Sequence, residues 1–162
     1  MRELAGTVAL EDTRVAIVVS RWNAGVTDAL LEGARATLVA EGIAEEHLIV
    51  VRVPGAFEIP GAVAHLLDAQ LADAIVTLGA VIRGDTPHFE FIARECCSGL
   101  MTLTRQTPVP IAMGVLTCDT MEQALERAGG RMGNKGSEAA RTALEMLATH
   151  IAIANAAEVI SS

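Results

Sequence analysis

The sequence predicts an α/β fold in which a four-stranded parallel β-sheet is covered by helices on both faces. Short apolar runs alternate along the chain with longer segments in which apolar residues recur at helical spacing. The runs are apolar at consecutive positions, which is typical of strands buried on both faces of a parallel sheet. Right-handed crossovers between such strands place helices on both sides, so we expect a three-layer α/β/α sandwich of the flavodoxin-like type.

The apolar runs and the helical patterns give the order of the elements. Four strands are predicted, at residues 14–20, 48–53, 74–82 and 110–117. Five helices are predicted, at about residues 27–41, 57–70, 87–106, 120–128 and 137–157. The segment of residues 129–136 is too rich in glycine to continue the fourth helix into the fifth.

Helix-breaking residues mark the ends of the first two helices. Gly42 ends the first helix, as glycine commonly does just beyond a helix C-terminus. Pro60 is tolerated only in the first turn of a helix, so the second helix is predicted to begin near Phe57 or Glu58 and to run to Gln70.

Capping residues mark the starts of the third and fourth helices. Thr86 is the predicted N-cap of the third helix, with Pro87 at the first helical position. Asp119 and Glu122 have the spacing of an N-capping box, which opens the fourth helix.

The length of 162 residues is sufficient for one domain with a sizeable core. We expect this domain over residues 14–162, preceded by an N-terminal arm over residues 1–13. The arm contains a short apolar alternation, so it is either a frayed tail or an additional edge strand.

Composition excludes several classes of function. The formal net charge is −8 and the chain has no basic cluster, which argues against binding to nucleic acid or to anionic membranes. The hydrophobic fraction is 51%, yet no uninterrupted apolar run has transmembrane length. The surplus apolar surface therefore predicts contacts between subunits.

Neither a secretion signal nor a metal-binding pattern is found in the sequence. Residues 1–5 include an acidic side chain and no apolar stretch, so we expect no signal peptide and a cytoplasmic location. Cys96, Cys97 and Cys118 have no metal-ligand spacing and form no disulfide pattern. We expect them to be small buried thiols, and we expect no bound metal.

The segment of residues 78–90 carries the strongest indication of a functional site. Its apolar strand breaks at Arg83-Gly84, and a helix is predicted directly afterwards. Free backbone N–H groups at a helix start, together with the helix dipole, favour an anion such as phosphate. Because His88 lies in that first turn, we expect a proton-transfer group beside an anion at the carboxyl end of a strand.

The aromatic residues point to the same edge of the sheet. The chain has no Tyr, and Trp22, Phe57, Phe89 and Phe91 all follow a predicted strand. Aromatic side chains that are absent from the strands and gathered at one edge favour a flat ligand that stacks against them.

Several segments that follow strands resemble one family when they are taken together. They are Ser20-Arg21-Trp22-Asn23, residues 53–60, residues 79–89, Gly114-Val115-Leu116-Thr117 and Gly133-Asn134-Lys135-Gly136. In this order and spacing they resemble the lumazine synthase family, from Val15 to Leu147. The resemblance implies a cofactor-free condensation of a ribityl-substituted pyrimidine with a four-carbon ketone phosphate, the penultimate step of riboflavin biosynthesis.

The resemblance also implies a role for each matching residue. The pyrimidine substrate would be bound by Trp22, Ala56, Phe57, Glu58, Ala80, Val81, Ile82 and Met113. The phosphate group would be bound by Gly84, Asp85, Thr86, Arg127 and Lys135. His88 would transfer protons.

Two of these positions depart from the residue that is usual in the family. Trp22 and Met113 stand where Phe is common. Trp keeps an aromatic face for stacking, and Met is flexible and apolar enough to cover a ring edge. The family forms pentamers and in some cases hollow capsids of sixty subunits, in which Met113 and Arg127 would come from a neighbouring subunit.

Other functions on the same fold stay open at this point. There are three alternatives: a flavin- or phosphate-binding module without activity, a relative that converts the lumazine to riboflavin, and a purely structural shell protein. The Thr86-Pro87-His88 segment favours the lumazine-forming reaction. A protein that only holds a ligand does not need all the polar, charged and proton-transferring side chains found here, which are Asp85, Thr86, His88 and Arg127.

Overall fold

The computed structural model describes residue 1 and residues 3–161, with side chains described up to residue 159. It contains a sheet of four parallel strands in the order β2-β1-β3-β4. These strands are β1 (Val15–Ser20), β2 (Leu48–Val53), β3 (Ala74–Ile82) and β4 (Ile111–Cys118). Each lies within one residue of its predicted bounds, and the predicted parallel sheet is confirmed.

Helices cover both faces of this sheet. In the described residues they are α1 (Ala24–Ala40), α2 (Ile59–Asp68), α3 (His88–Gln106), α4 (Met121–Arg127) and α5 (Lys135–Ser161). On one face, Leu30 of α1 and Ala140 of α5 pack against the strands. On the other face, Val63 of α2 and Leu100 of α3 do so. The three-layer sandwich is therefore confirmed, and no described helix is both long and apolar enough to cross a membrane.

The first two helical segments differ from their predicted bounds. α1 begins three residues early because the carbonyl of Asn23 accepts the amide hydrogens of Val26 and Thr27, at 2.8 and 3.1 Å. A 3₁₀ turn at Ala56–Glu58 precedes α2. α2 ends two residues early because Gln70 adopts a left-handed φ of 52°, which ends the helical hydrogen bonding.

The start of α3 also differs from the prediction. Thr86 does not cap this helix, since Pro87 occupies the N-cap position and its carbonyl accepts the Glu90 amide hydrogen at 3.0 Å. No side chain caps α3. Its first backbone N–H groups are therefore available to a ligand.

The caps of α4 and α5 are each shifted from their predicted positions. Thr120, and not Asp119, caps α4, because its Oγ1 accepts the Gln123 amide hydrogen at 3.2 Å. The glycine-rich segment forms a short hairpin of β5 (Ala128–Gly130) and β6 (Gly133–Asn134). Asn134 then accepts the Ser137 amide hydrogen at 3.2 Å, so α5 begins before the predicted Ser137.

The N-terminal arm lies against α5. Residues 3–13 form no strand in the described chain, so within one subunit they do not extend the sheet. A Cβ on Gly6 would overlap the carbonyl oxygen of Ala148, which shows how closely the two backbones approach. Leu10 packs against the core cluster that α1 and α5 share. The arm thus contacts the domain at Gly6 and Leu10 and not only where it joins β1.

The start of α5 is in direct contact with α1. A Cβ on Gly136 would overlap the backbone carbonyl of Leu30, so the approach requires glycine. Asn134 strengthens the contact by donating from Nδ2 to the carbonyl of Ala29, at 2.9 Å, while its Oδ1 accepts the Gly136 amide hydrogen, at 2.8 Å. This contact also fixes the backbone of Lys135, a predicted phosphate-binding residue.

We predict that Gly136→Ala lowers the free energy of unfolding by about 1–3 kcal/mol, because the added methyl group forces two helices apart. Gly61→Ala in α2 is the matched control, since a Cβ there meets nothing within 4 Å. The control should be unchanged or stabilised by up to about 1 kcal/mol. Urea unfolding of both variants measures the difference, and equal stabilities would contradict the close-contact explanation.

Candidate active site

The loops that follow β1, β2 and β3 are hydrogen-bonded to one another at the carboxyl edge of the sheet. The amide hydrogens of Arg21 and Trp22 bond to the carbonyls of Val53 and Pro54, at 2.8 and 3.1 Å. Asn23 donates from Nδ2 to the carbonyl of Ala80 in β3, at 2.9 Å. These bonds fix the loop that carries Trp22 against its two neighbours.

The exposed ring of Trp22 packs against the backbone of Gly55, which we call the glycine platform. Its side chain is 65% exposed, and a Cβ on Gly55 would come within 2.5 Å of the ring atom Cε3. Glu58 lies on the same platform, since its Oε2 accepts the Gly55 amide hydrogen at 3.0 Å. The other carboxylate oxygen of Glu58 has no hydrogen-bond partner in the described chain. An aromatic face and an unused carboxylate oxygen thus lie next to each other.

The neighbouring predicted pyrimidine-binding residues differ in exposure. Phe57 is exposed and extends the apolar surface beside Trp22, whereas Ala56 is buried. The side chains of Ala80 and Val81 are also buried, in the cores on opposite faces of the sheet. Only their backbones can therefore contact a ligand.

Ile82 is half-buried and is the last residue of β3, directly before the predicted phosphate loop. Gly84, Asp85, Thr86 and His88 follow it, and all four are exposed. In the described chain the His88 ring makes no hydrogen bond, so it is free to face a ligand. The exposed loop and the uncapped start of α3 together form a place where an anion could bind.

Met113, Arg127 and Lys135 form a second group, at the outer edge of β4. They line one cavity together with Glu138 and the strand itself. Among the described residues that line it, neither Trp22 nor any residue of the 84–88 loop is included. β2 and β4 are the outer strands of the sheet and lie about 14 Å apart, because neighbouring strands are about 4.8 Å apart. One subunit therefore keeps Phe57 and Glu58, which follow β2, away from Met113 on β4, whereas the 84–88 loop follows β3, the direct neighbour of β4.

The two cations of this second group differ in how they are bound. Lys135 forms an ion pair with Glu138, with Nζ–O distances of 2.7 and 2.8 Å. Arg127 has no ion-pair partner in the described chain and donates only to the backbone carbonyl of Gln123, at 3.0 Å. The charge of Arg127 is therefore the more available of the two for a phosphate.

Sulfur atoms meet on the α3 side of β4. Met113 is 52% exposed, and its Sδ lies 3.5 Å from the Sγ of Cys97. Cys96 and Cys118 are buried, as predicted, whereas Cys97 is half-buried and Cys118 ends β4. Burial raises the pKa of the Cys96 thiol to about 11, so this thiol is protonated at neutral pH. Among the described residues, no three His, Cys, Asp or Glu side chains are placed to hold a metal ion.

Comparison with known proteins agrees with the motifs. The sequence model of the 6,7-dimethyl-8-ribityllumazine synthase family matches residues 12–150. A protein of that name from Edwardsiella ictaluri is 52% identical over 91% of this chain and 95% of its own length. Those from Halorhodospira halophila and Gemmatimonas aurantiaca are 51% and 50% identical, over 86% and 91% of this chain and 90% of their own lengths.

The chain belongs to the 6,7-dimethyl-8-ribityllumazine synthase family. This confirms the resemblance that the post-strand segments indicate. The family match extends from the end of the N-terminal arm into α5, so it includes both groups of predicted site residues.

The sequence analysis did not identify several residues that shape this edge of the sheet. Each of them contacts a predicted site residue or its loop, and they are Asn23, Gly55, Arg83, Cys97 and Glu138. The contact between Gly55 and Glu58 is local, since the Gly55 amide hydrogen bonds to the Glu58 carboxylate three residues later, but a glycine cannot supply the side-chain half of a capping box. The contacts of Arg83 and Cys97 join separate elements, so no local pattern indicates them.

Proposed function

We propose that this protein condenses 5-amino-6-(D-ribitylamino)uracil with 3,4-dihydroxy-2-butanone 4-phosphate to form 6,7-dimethyl-8-ribityllumazine and phosphate. It would then be a transferase of riboflavin biosynthesis that acts in the penultimate step. Family membership supports the reaction. The observation that carries the assignment of the site is the exposed Trp22 ring beside the unused carboxylate oxygen of Glu58. A ring for stacking and an acceptor for hydroxyl groups suit a pyrimidine with a ribityl chain.

The reaction needs proton transfers and the departure of an anion. The ring amine adds to the ketone with loss of water, phosphate leaves by elimination, and the ribityl-bearing amine closes the new ring with loss of a second water. We assign proton transfer to His88, which lies at the start of α3 beside the exposed loop. The uncapped amide groups of α3 would hold the phosphate as it leaves. Holding both substrates in one site would provide much of the catalysis.

The complete site would lie between two subunits. In one chain Trp22 and Glu58 follow β1 and β2, whereas Met113, Arg127 and Lys135 line a cavity beside β4 that neither Trp22 nor Glu58 lines. We propose that Met113, Arg127 and Lys135 of one subunit complete the site of its neighbour, in a homopentamer or an assembly of pentamers. Exposed apolar side chains, among them Val50, support such contacts. The protein would act in the cytoplasm on small molecules, with no role for nucleic acid or membranes.

Incubation with both substrates tests the function directly. Formation of the fluorescent lumazine, together with an equal amount of phosphate, is expected. Tight flavin binding without turnover would favour a binding module instead. Sedimentation of the same sample would show whether the protein is a pentamer, a decamer or a sixty-subunit capsid.

We predict that Trp22→Ala raises the Michaelis constant for the pyrimidine far more than that for the ketone phosphate. Stacking on an aromatic ring contributes on the order of 1 kcal/mol beyond the burial of area, and alanine removes both. Trp22→Phe is the control and should be nearly silent. Steady-state kinetics with each substrate varied in turn would measure the effect, and equal increases for the two substrates would contradict the stacking role.

We predict that His88→Ala lowers turnover and leaves substrate binding largely intact. General acid–base catalysis typically contributes about 10²–10⁴-fold, and water can take over part of these transfers, so the loss should be at the lower end or below. Turnover measured from pH 5 to 9 would test this. A variant with the wild-type pH profile would leave His88 without a catalytic role.

Mixed assemblies test whether the site is shared. Arg127→Ala should weaken binding of the ketone phosphate selectively and leave assembly intact, and dissociated monomers should be inactive. When Arg127→Ala and His88→Ala subunits are refolded together in equal amounts, about a quarter of the interfaces pair an intact His88 with an intact Arg127. Activity should therefore exceed that of either parent.

The same two variants assembled separately and then mixed without refolding are the control. This mixture should show no gain. If co-refolded rings form and also show no gain over the parents, the proposal of a site between subunits is wrong.

A further inference from the structure

The loop that is proposed to hold the phosphate is tethered only at its two ends. Residues 84–88 are exposed, and the side chains of Asp85 and Thr86 make no hydrogen bond in the described chain. At the start of the loop, the Arg83 amide hydrogen bonds to the carbonyl of Cys118 at 3.0 Å. At its end, the loop enters the first turn of α3. Its conformation therefore depends on how these two ends are held together.

The Arg83 side chain joins both ends of the loop. Its Nη1 donates to Oε1 of Glu90, which lies beyond the loop in α3, at 3.2 Å. Its Cζ lies 4.5 Å from the ring centroid of Phe89, also beyond the loop. Its Nε donates to Oδ1 of Asp119, which follows β4, at 2.6 Å. One guanidinium group thus connects the end of β3, the start of α3 and the turn after β4.

The charge of Arg83 is already compensated. Two carboxylates, of Asp119 first and of Glu90 second, raise the pKa of Arg83 above its usual value. A guanidinium group that is held by two carboxylates attracts a phosphate only weakly. The planar guanidinium group of Arg83 nevertheless donates to two carboxylates and stacks on an aromatic ring. A lysine ammonium could not make all of these contacts.

We propose that Arg83 is a positioning residue that closes the 84–88 loop, so that the free amide groups of α3 and the His88 ring face the phosphate substrate. This inference rests on the proposed function and adds a residue to its site. Exposed ion pairs contribute little to global stability, so Arg83 acts on the local geometry of the loop and not on the fold. Arg83 itself does not bind the phosphate.

Hydrogen exchange of the assembled protein tests loop closure without any substrate. In Arg83→Met, exchange of the two hydrogen-bonded amides at the ends of the loop, at residue 83 and at Glu90, should become about threefold to tenfold faster, a factor that one or two surface contacts can supply. Arg94→Met is the matched control, since the Cζ of Arg94 lies 5.2 Å from the Phe91 ring and its Nε bonds to Glu95 at 3.3 Å. The control also removes one positive charge, from within α3, and should leave exchange of these amides unchanged.

Kinetics then separates positioning from direct binding. If Arg83 positions the loop, Arg83→Met, Arg83→Lys and Glu90→Gln should each raise the Michaelis constant for the ketone phosphate about threefold to tenfold, and Arg94→Met should not. If Arg83 instead binds the phosphate, Glu90→Gln should release its charge and lower that constant. The constant for the pyrimidine should change little in every variant.

The outcomes distinguish this proposal from the proposed function. Loop exchange that is unchanged in Arg83→Met, or tighter phosphate binding in Glu90→Gln, would overturn the positioning role. An equal rise of the Michaelis constant in Arg94→Met would also overturn it, since a general charge effect would then suffice. A wild-type protein that makes no lumazine would refute the proposed function, while the exchange experiment would still decide whether Arg83 closes the loop.

Discussion

Parallel pairing of β1 with both β2 and β3 is the constraint on which the rest of the structure depends. β1 is buried at all six positions and lies inside the sheet, so helices must cover both faces. The three strands start in register and run in the same direction, so their carboxyl ends lie at one edge of the sheet. The loops that carry Trp22, Glu58 and His88 therefore meet at one edge, although they are far apart in the sequence. The hydrogen bond from Asn23 to Ala80 then fixes their relative positions.

The same constraint explains why one subunit does not bring all the site residues together. β4 is an outer strand, and Arg127 and Lys135 lie beyond it, on elements that pack on the α1 face. The ring-binding residues lie on the other side of β3. The spacing of neighbouring strands keeps the loop after β2 about 14 Å from β4, since β1 and β3 lie between them. A second copy of the chain would be the simplest way to place Met113 beside Trp22 and Glu58.

The sequence predicted the strands more accurately than the helix starts, and the reason is physical. A strand buried on both faces must be apolar throughout, so β3 matches its predicted bounds. Helix starts depend on single hydrogen bonds: the carbonyl of Asn23 opens α1, and Oδ1 of Asn134 accepts the Ser137 amide hydrogen at the start of α5. Residues such as Trp22 and His88 could be identified by their position after strands. Arg83 could not, because its partners Glu90 and Asp119 belong to different elements.

Charge pairing limits which cations can serve the site. In the described chain, eight of the arginine and lysine side chains form ion pairs, and Arg21, Arg105 and Arg127 do not. Only Arg127 of these three lines the cavity beside β4. A protein with a net charge of −8 repels a phosphate ester at long range, so a local and unpaired cation must overcome that repulsion. Arg127 meets this condition, which supports its proposed role, whereas the charge of Arg83 is compensated by two carboxylates.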